Sequence, residues 1–284
     1  MNFIKLGAML PLGAAGDSDD SRTELACVIE LCGLWFAYYV AYDGAIYHLC
    51  GAVSEDGVHF TKLGAVIPKG ASGESDDVKV YEHGVLVRDG MVYIYYTGFD
   101  GSWGRVCLAV SEDGIHFIKL GVLLPKGASN EIDAQNTLYG TPIVCNGIIY
   151  LYYESVCVGS SAVALAVSED GIHFTKLGIV NPATAGSRDQ KGIFAPYVAL
   201  CNGQVMCLYA GIDGSYAIRC CLAYAEDGIR FTKQGVVIPL GAAGQIDATY
   251  VYETYGIIRD GMLYAYYQAI NGTVRRTALA VAEI

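Results

Sequence analysis

Charged and aromatic side chains alternate with apolar ones along several short segments of the chain. One of the two sets of alternate residues is polar or aromatic and consists of Arg22, Glu24, Lys79, Tyr81, His83, Asn136, Phe194, Tyr250 and Tyr252. The other parity is mostly apolar and holds Thr23, Leu25, Val78, Val80, Ile193 and Val251, with Glu82 and Glu253 as exceptions. Because alternate residues of a β-strand lie on the same side, we expect the first set to line one common cavity. Carboxylates placed there beside Arg, Lys, His and Tyr are suited to general acid–base chemistry.

A second set of acids recurs at a fixed place. An aspartate precedes each of these segments, at Asp19, Asp76, Asp133, Asp189 and Asp247. Another recurrent position holds His48, Arg105, Ala162, Arg219 and Arg276. The pattern predicts an Asp–Arg pair in each repeat that fixes a connecting loop. Because Ala162 interrupts the pattern, Asp133 is expected to lack a cation and to form, with Glu154, a pair of acids that raise each other's pKa or share a proton.

These positions belong to a repeat of 57 residues, since the phenylalanines that open the units lie at 3, 60, 117, 174 and 231. Within a unit, β-branched and aromatic runs are separated by tight turns such as Asp89-Gly90 and Asp113-Gly114. Four strands per unit and five units predict an all-β fold, a five-bladed β-propeller that forms one domain over residues 1–284. The last unit has three strands, and residues 2–11 are expected to supply its fourth and to close the ring.

The composition of the chain indicates which kinds of binding partner are unfavourable. A net charge of −11 argues against nucleic acid and against an anionic membrane surface. No stretch has the pattern of a secretory signal or of a membrane span. The ten cysteines lack the paired spacing of zinc or redox sites, so we expect small buried hydrophobes in a cytoplasmic protein. Neither a cofactor nor a metal ion is predicted, and the oligomeric state is left open.

Two stretches resemble a known group of proteins. The run Cys107-Leu108-Ala109-Val110-Ser111-Glu112-Asp113-Gly114-Ile115-His116-Phe117 is similar to the blade signature of bacterial five-bladed glycosidase-like propellers. So is Asp76 followed by a strand and Tyr95-Tyr96-Thr97-Gly98. That superfamily includes arabinanases, β-xylosidases, invertases and mannoside phosphorylases.

The resemblance also implies a set of catalytic residues. In the arabinanase-like members it implies an inner-strand Asp as base, a second Asp that orients, and a Glu acid in a Glu-Ala-Pro-like stretch. The corresponding stretch here is Phe194-Ala195-Pro196, so phenylalanine replaces the expected acid. Glu24 occupies the same slot in the first unit. The usual catalytic set is therefore not intact.

The first functional hypothesis is a glycoside hydrolase-like enzyme that acts on a small carbohydrate in the central funnel. Its catalytic candidates are Glu24, Asp76, Asp133, Glu154 and His83. Its substrate-binding candidates are Arg22, Lys79, Tyr81, Trp103, Asn136, Tyr250 and Tyr252. Glu24 is the predicted acid, with Asp76 or Asp133 as base or nucleophile, because glycoside hydrolysis requires two carboxyl groups beside the bond.

Two alternatives remain at this level. The same funnel could serve a non-hydrolytic cyclase, isomerase or lyase that acts on a small anionic metabolite. A non-catalytic sugar-binding propeller, or an engineered repeat chain, also fits the near-identical outer strands. The sequence therefore leaves the presence of enzymatic activity open.

Overall fold

The computed structural model describes residues 2–158 and 160–284, with the side chains of Leu25, Ala26, Glu82 and His83 excepted. These residues form twenty β-strands and no helix. The strands pair into five antiparallel sheets of four strands each. The predicted all-β, five-bladed β-propeller is confirmed. Since the described residues contain no helix, none of them forms an apolar helix that could cross a membrane.

The strands are, in chain order, β1 (Ile4–Leu10), β2 (Arg22–Leu31), β3 (Leu34–Tyr42), β4 (Tyr47–Ser54), β5 (Thr61–Ile67), β6 (Lys79–Arg88), β7 (Met91–Phe99), β8 (Gly104–Ser111), β9 (Ile118–Leu124), β10 (Asn136–Cys145), β11 (Ile148–Cys157), β12 (Ser160–Ser168), β13 (Thr175–Asn181), β14 (Gly192–Cys201), β15 (Gln204–Ile212), β16 (Ile218–Ala225), β17 (Thr232–Ile238), β18 (Tyr250–Arg259), β19 (Met262–Asn271) and β20 (Val274–Glu283). Blades 1 to 4 consist of β2–β5, β6–β9, β10–β13 and β14–β17. Blade 5 has the order β18, β19, β20 and β1.

The ring is closed by pairing of the two ends of the chain. Strand β1 is antiparallel to β20, with Ile4 opposite Val281 and Leu10 opposite Thr277. The expectation that the N-terminal strand completes the last blade is thus confirmed. This pairing removes the unpaired edge that a three-stranded blade would expose.

Tight turns join the inner strand of each blade to the second strand. In blade 2, Asp89 and Gly90 both have positive φ, 52° and 77°, between the paired residues Arg88 and Met91. Two consecutive residues with positive φ are the requirement of the two-residue hairpin turn that Asp-Gly favours.

Neighbouring blades pack through tyrosines of the second strands. Tyr38 of β3 meets Phe117 of the next blade edge to face, with ring centroids 5.6 Å apart and an interplanar angle of 88°. The Tyr38 hydroxyl also donates a hydrogen bond to the Gly114 carbonyl at 2.9 Å. Tyr95, Tyr152 and Tyr266 repeat both contacts with the blades that follow them. These contacts make the packing between blades nearly identical around much of the ring.

All ten cysteines are free, and seven of them are buried. The expectation that they behave as small buried hydrophobes is confirmed for those seven. It is wrong for Cys32, which is exposed, while Cys145 and Cys157 are half-buried.

Candidate active site

Each of the five recurrent aspartates forms a tie, that is, a buried carboxylate bonded to one tyrosine and one lysine of its own blade. Each carboxylate accepts a hydrogen bond of 2.9–3.0 Å from a second-strand tyrosine, namely Tyr39, Tyr96, Tyr153, Tyr209 or Tyr267. Each also meets an outer-strand lysine at 2.5–2.8 Å, namely Lys62, Lys119, Lys176, Lys233 or Lys5. The aspartates therefore join the inner, second and outer strands of one blade.

The tie extends to the neighbouring blade through the same lysines. Lys62 donates to the carbonyl of Pro11, which follows the outer strand of blade 5, at 2.6 Å. Lys176 does the same at Pro125 of blade 2, also at 2.6 Å. Each of these two lysines thus connects the aspartate of its own blade to the preceding blade.

The predicted Asp–Arg pairing is wrong, because the second recurrent position pairs with a different acid. Arg105 pairs with Asp100, and Arg219 lies 2.6 Å from Asp213, both acids being in the loop that precedes the third strand. His48 is 3.6 Å from Asp43 in the equivalent loop of blade 1.

The expectation that Asp133 lacks a cation is also wrong, since Lys176 lies 2.7 Å from it. Asp133 and Asp76 are both buried within their ties, and neither is among the described residues that line a cavity. In each of them Oδ2 bonds to the tyrosine and the lysine of the tie, and their catalytic role stays a prediction.

Each inner strand contains a bulge at the same place. The register shifts between Glu24 and Ala26 in β2, and the corresponding shift recurs in β6, β10, β14 and β18. At three of these bulges a non-glycine residue has positive φ, at Tyr139 (53°), Ala195 (45°) and Glu253 (26°). A bulge inserts one residue and redirects its side chain, so the alternation of the strand is broken at these positions.

A cavity of about 410 Å³ is lined by the inner strands of blades 1, 2, 3 and 5, and blade 4 contributes Ile218 of its third strand. Its lining is Arg22, Glu24, Tyr47, Lys79, Tyr81, Tyr139, Ile218, Tyr250, Tyr252, Glu253, Gln268, Ile270 and Arg275. Six predicted residues are thus brought together: Arg22, Glu24, Lys79, Tyr81, Tyr250 and Tyr252. Phe194, expected in the same funnel, has its ring centroid 6.3 Å from that of Tyr252.

A second cavity of about 200 Å³ adjoins the first and shares Lys79, Tyr81 and Tyr139 with it. Asn136 lines this smaller cavity, and its side-chain oxygen accepts a hydrogen bond from the Gly104 amide at 2.7 Å. The predicted binding residue Asn136 therefore lies beside the main cavity, with its side-chain oxygen already used by the fold.

Three other predicted residues lie elsewhere or are not described. Trp103 is 37% exposed on a loop of blade 2, with the Lys126 ammonium 4.6 Å above its ring, and it is not among the described lining residues. The side chain of His83 lies outside the described residues. Glu154 is buried, and its Oε2 accepts a hydrogen bond from the Ala195 amide at 3.2 Å.

The main cavity contains three cations and two acids. Glu24 lies between two guanidinium groups, 3.6 Å from Arg22 and 3.5 Å from Arg275. The Lys79 ammonium lies 5.0 Å above the Tyr47 ring rather than beside a carboxylate of the described residues. The cavity of this acidic protein is therefore locally basic.

Two buried acids have raised pKa values. Burial, followed by the charge of Glu24, raises the pKa of Glu253 to about 8, against a hydrogen bond from Tyr139 that lowers it. Burial, followed by the charge of Glu253, also raises the pKa of Glu154 to about 8, although the bond from the Ala195 amide opposes the shift. Both groups are consequently protonated at neutral pH, and Glu253 presents its acid to the cavity.

The sequence reasoning missed five lining residues that could do chemistry: Tyr47, Tyr139, Glu253, Gln268 and Arg275. Glu253 was visible as an acid on an otherwise apolar parity, and the bulge explains it. Tyr47 and Arg275 begin or nearly begin third strands, so the alternation of the inner strands held no signal for them.

The described residues contain no cluster of three or more His, Cys, Asp or Glu side chains placed to hold a metal ion. The chemistry that this site offers through its described side chains consists of proton transfer, charge stabilisation and aromatic stacking.

Comparisons with known proteins come from sequence and from structure. No family model matches the chain. A 1,2-β-oligomannan phosphorylase of Thermoanaerobacter sp. (strain X514) is 28% identical over 127 residues, which is 41% of this chain and 43% of that protein. The matched region thus spans less than half of the phosphorylase. An uncharacterised protein of Mycobacterium tuberculosis, Rv1502, is 28% identical over 83% of both chains.

Solved structures match over nearly the whole chain. The structure of BT0996 in an RGII complex has a TM-score of 0.79 at 17% identity, covering 99% of this chain and 91% of that protein. A family 117 glycoside hydrolase from Zobellia galactanivorans has a TM-score of 0.73 at 18% identity, covering 99% and 89%. A structure from the GH130 family of mannoside phosphorylases, which contains hydrolases that target β-1,2 mannosidic linkages in Candida mannan, has a TM-score of 0.72 at 16% identity, covering 92% and 84%. The chain accordingly shares its fold, over most of its length, with these solved structures.

Proposed function

We propose that the protein cleaves glycosidic bonds of a small carbohydrate held in the central cavity. The observation that carries the proposal is the presence, in one cavity, of a buried acid whose pKa is raised, Glu253, and an ion-paired carboxylate, Glu24. Glycoside cleavage requires this combination, because one carboxyl must deliver a proton while the other remains charged. The names of the similar proteins support a carbohydrate rather than the small anionic metabolite of the alternative hypothesis.

In this proposal Glu253 replaces Glu24 as the proton donor. The Glu253 carboxyl transfers its proton to the glycosidic oxygen as the bond to the anomeric carbon breaks, and it is left as a carboxylate. Glu24 then accepts the proton of the water that attacks the anomeric carbon. The hydrogen bond from Tyr139 stabilises the carboxylate that Glu253 becomes.

The aromatic and cationic residues hold the sugar. Tyr81, Tyr250 and Tyr252 line the cavity and provide faces on which a sugar ring can stack. A volume of about 410 Å³ falls in the range of roughly 300–1,000 Å³ that is usual for small-molecule sites.

A second candidate is phosphorolysis, in which inorganic phosphate attacks in place of water. The positive charges of Arg22, Lys79 and Arg275, against the one ion-paired carboxylate of Glu24, favour an anion in the cavity. The partial match to an oligomannan phosphorylase supports the same reaction.

The experiment separates the two reactions by their products. The protein is incubated with a panel of 4-nitrophenyl glycosides and with β-1,2-linked mannobiose, with and without inorganic phosphate. Hydrolysis releases reducing sugar in both conditions, whereas phosphorolysis gives a sugar 1-phosphate only when phosphate is present.

Variants then test the assigned residues. Glu253→Gln and Glu24→Gln are each expected to lower kcat/KM on the best substrate by about 10²–10⁴-fold. Glu30→Gln is the matched control, because Glu30 lies on the same strand as Glu24 but is exposed and pairs with Arg259 at 3.6 Å. Full turnover by Glu253→Gln would contradict the assignment of the proton donor.

A further inference from the structure

Gln268 of β19 is a buried amide that the fold does not use. It lines the main cavity and is 0% exposed. Its Oε1 and Nε2 atoms both lack a hydrogen-bond partner among the residues that the structure describes. Buried polar groups in folded proteins are nearly always bonded, so a doubly unpartnered amide requires a reason.

The same position in the other blades shows what the fold itself requires there. The equivalent residues are Val40, Thr97, Glu154 and Ala210. Thr97 accepts a hydrogen bond from the Tyr139 amide at 3.0 Å, and Glu154 accepts one from the Ala195 amide at 3.2 Å. In both cases the side chain fixes the bulge of the next blade. The equivalent bulge residue for Gln268 is Leu25, whose side chain lies outside the described residues, and among the residues that the structure describes Gln268 makes no such bond.

The residue opposite Gln268 is also a buried polar residue without a hydrogen-bond partner among the described residues. Thr277 of β20 faces Gln268 in the register, is fully buried, and its hydroxyl also lacks a partner. The residues opposite the equivalent positions of blades 1 to 4 are Leu49, Val106, Val163 and Cys220. Blade 5 alone therefore carries a polar residue on both strands here, and residues directly opposite on one face of a sheet are neighbours.

We propose that Gln268 binds a hydroxyl group of the substrate and selects for it, once a small shift of the cavity wall uncovers the buried amide. A hydroxyl group both donates and accepts, which matches the one acceptor and two donors of a carboxamide. A neutral amide does not discriminate in favour of an anionic group, which Arg22, Lys79 and Arg275 would attract instead. The carbohydrate identity of the ligand rests on the proposed function, whereas the assignment of Gln268 as a ligand-binding residue does not.

Stability measurements test whether Gln268 belongs to the fold. Gln268→Leu removes both unpartnered atoms at similar volume, so its Tm without ligand is expected to equal or exceed that of the wild type. Thr97→Val, at the same position of blade 2, removes a hydroxyl that the fold uses and is expected to lower Tm. A loss of Tm in Gln268→Leu as large as that in Thr97→Val would overturn the proposal.

Binding measurements test the ligand. Isothermal titration in a Glu253→Gln background, which prevents turnover, uses methyl glycosides of mannose, glucose, galactose and arabinose and the monodeoxy analogues of the best binder. We expect one monodeoxy analogue to bind on the order of tenfold to a hundredfold more weakly, and Gln268→Leu to lose that discrimination at that hydroxyl alone. Unchanged discrimination in Gln268→Leu would overturn the proposal while leaving the proposed function intact. If none of these sugars binds, the proposed function and the sugar assignment both fail, and the Tm comparison still decides whether Gln268 is a residue of the fold.

Discussion

Two positions of each inner strand behave differently among the blades. The residue at the entrance of the strand is the same in all five, whereas the bulge residue six positions later changes from blade to blade. At the entrance, all five blades carry the same aspartate with the same tyrosine and lysine partners. At the bulge, the blades carry Leu25, Glu82, Tyr139, Ala195 and Glu253. The uniform position joins strands within and between blades, whereas the variable one includes residues that line the cavity.

The contrast shows how a repeat protein separates stability from chemistry. A group present five times makes five equal contributions to the fold and cannot distinguish one side of a ligand from another. A group present once can be placed against a particular atom of a ligand. The proposed function accordingly places catalysis at Glu24 and Glu253, which occur once, rather than at the aspartates that recur in every blade.

The largest expected effect comes from breaking one tie. Asp133→Ala leaves the Tyr153 hydroxyl and the partly buried Lys176 ammonium without their partner, at a cost of about 2–4 kcal/mol in the free energy of unfolding. Urea denaturation measures this loss. Activity per folded molecule is expected to stay at the wild-type level, and a fall beyond the loss of folded protein would return Asp133 to the catalytic set.

The pH dependence of cleavage tests the proposed role of Glu253, which lies at the bulge of blade 5. The raised pKa of Glu253, about 8, predicts that kcat/KM falls about tenfold per pH unit as the pH rises above this value, because the proton donor is lost. A profile of kcat/KM from pH 5 to pH 10 measures it. A rate that stays level to pH 10 would show that another group supplies the proton.

Glu154 accepts a hydrogen bond from the bulge residue Ala195 of the next blade and is itself a buried acid. Its pKa is about 8 in the folded protein and near 4.5 when unfolded, so the folded state holds one more proton between these values. Stability from this group is therefore highest below pH 4.5 and falls as the pH rises to about 8. Glu154→Gln keeps an oxygen for the Ala195 amide and cannot ionise.

We expect the Tm advantage of Glu154→Gln over the wild type to grow between pH 5 and pH 8, with a gain on the order of 1 kcal/mol or more at pH 8. Thermal melts of both proteins across this range measure it, and Glu253 leaves a residual slope in the variant. A constant difference would mean that Glu154 is ionised throughout.

The smallest effect concerns the closure of the ring. Lys5→Met and Lys119→Met break the same tie, at the junction of the two chain ends and within a continuous blade respectively. We expect their losses of unfolding free energy to agree within about 0.5 kcal/mol if the closing strand is as well held as a covalently continuous one. A much smaller loss for Lys5→Met in urea denaturation would show that the closing blade opens before the others.

The sequence predicted the fold well because each signal was repeated. Turns such as Asp89-Gly90 and the apolar alternation recur from unit to unit, so errors in one unit were corrected by the next. The ties were mispredicted for a geometric reason. Lys119 lies 43 residues from Asp76, on the outer strand of the four, so no local sequence pattern indicates their contact.

The site was predicted in part. Residues at regular strand positions were predicted correctly, whereas a residue at a bulge was not. Alternation along a regular strand correctly brought together Arg22, Lys79 and Tyr250. It failed at Glu253, because a bulge shifts the alternation by one residue and local sequence does not mark a bulge clearly. Gln268 was missed, since a buried amide without hydrogen-bond partners among the described residues can be recognised only from the structure.

The shared bulge also has a consequence for protein engineering. The register resumes after it in every inner strand, from Ala26 in blade 1 to Thr254 in blade 5. Exchange of the single redirected residue therefore leaves the hydrogen-bonded ladders on either side unchanged. A combinatorial library of two codons, at the bulge residues Tyr139 and Glu253, would sample new linings for the main cavity.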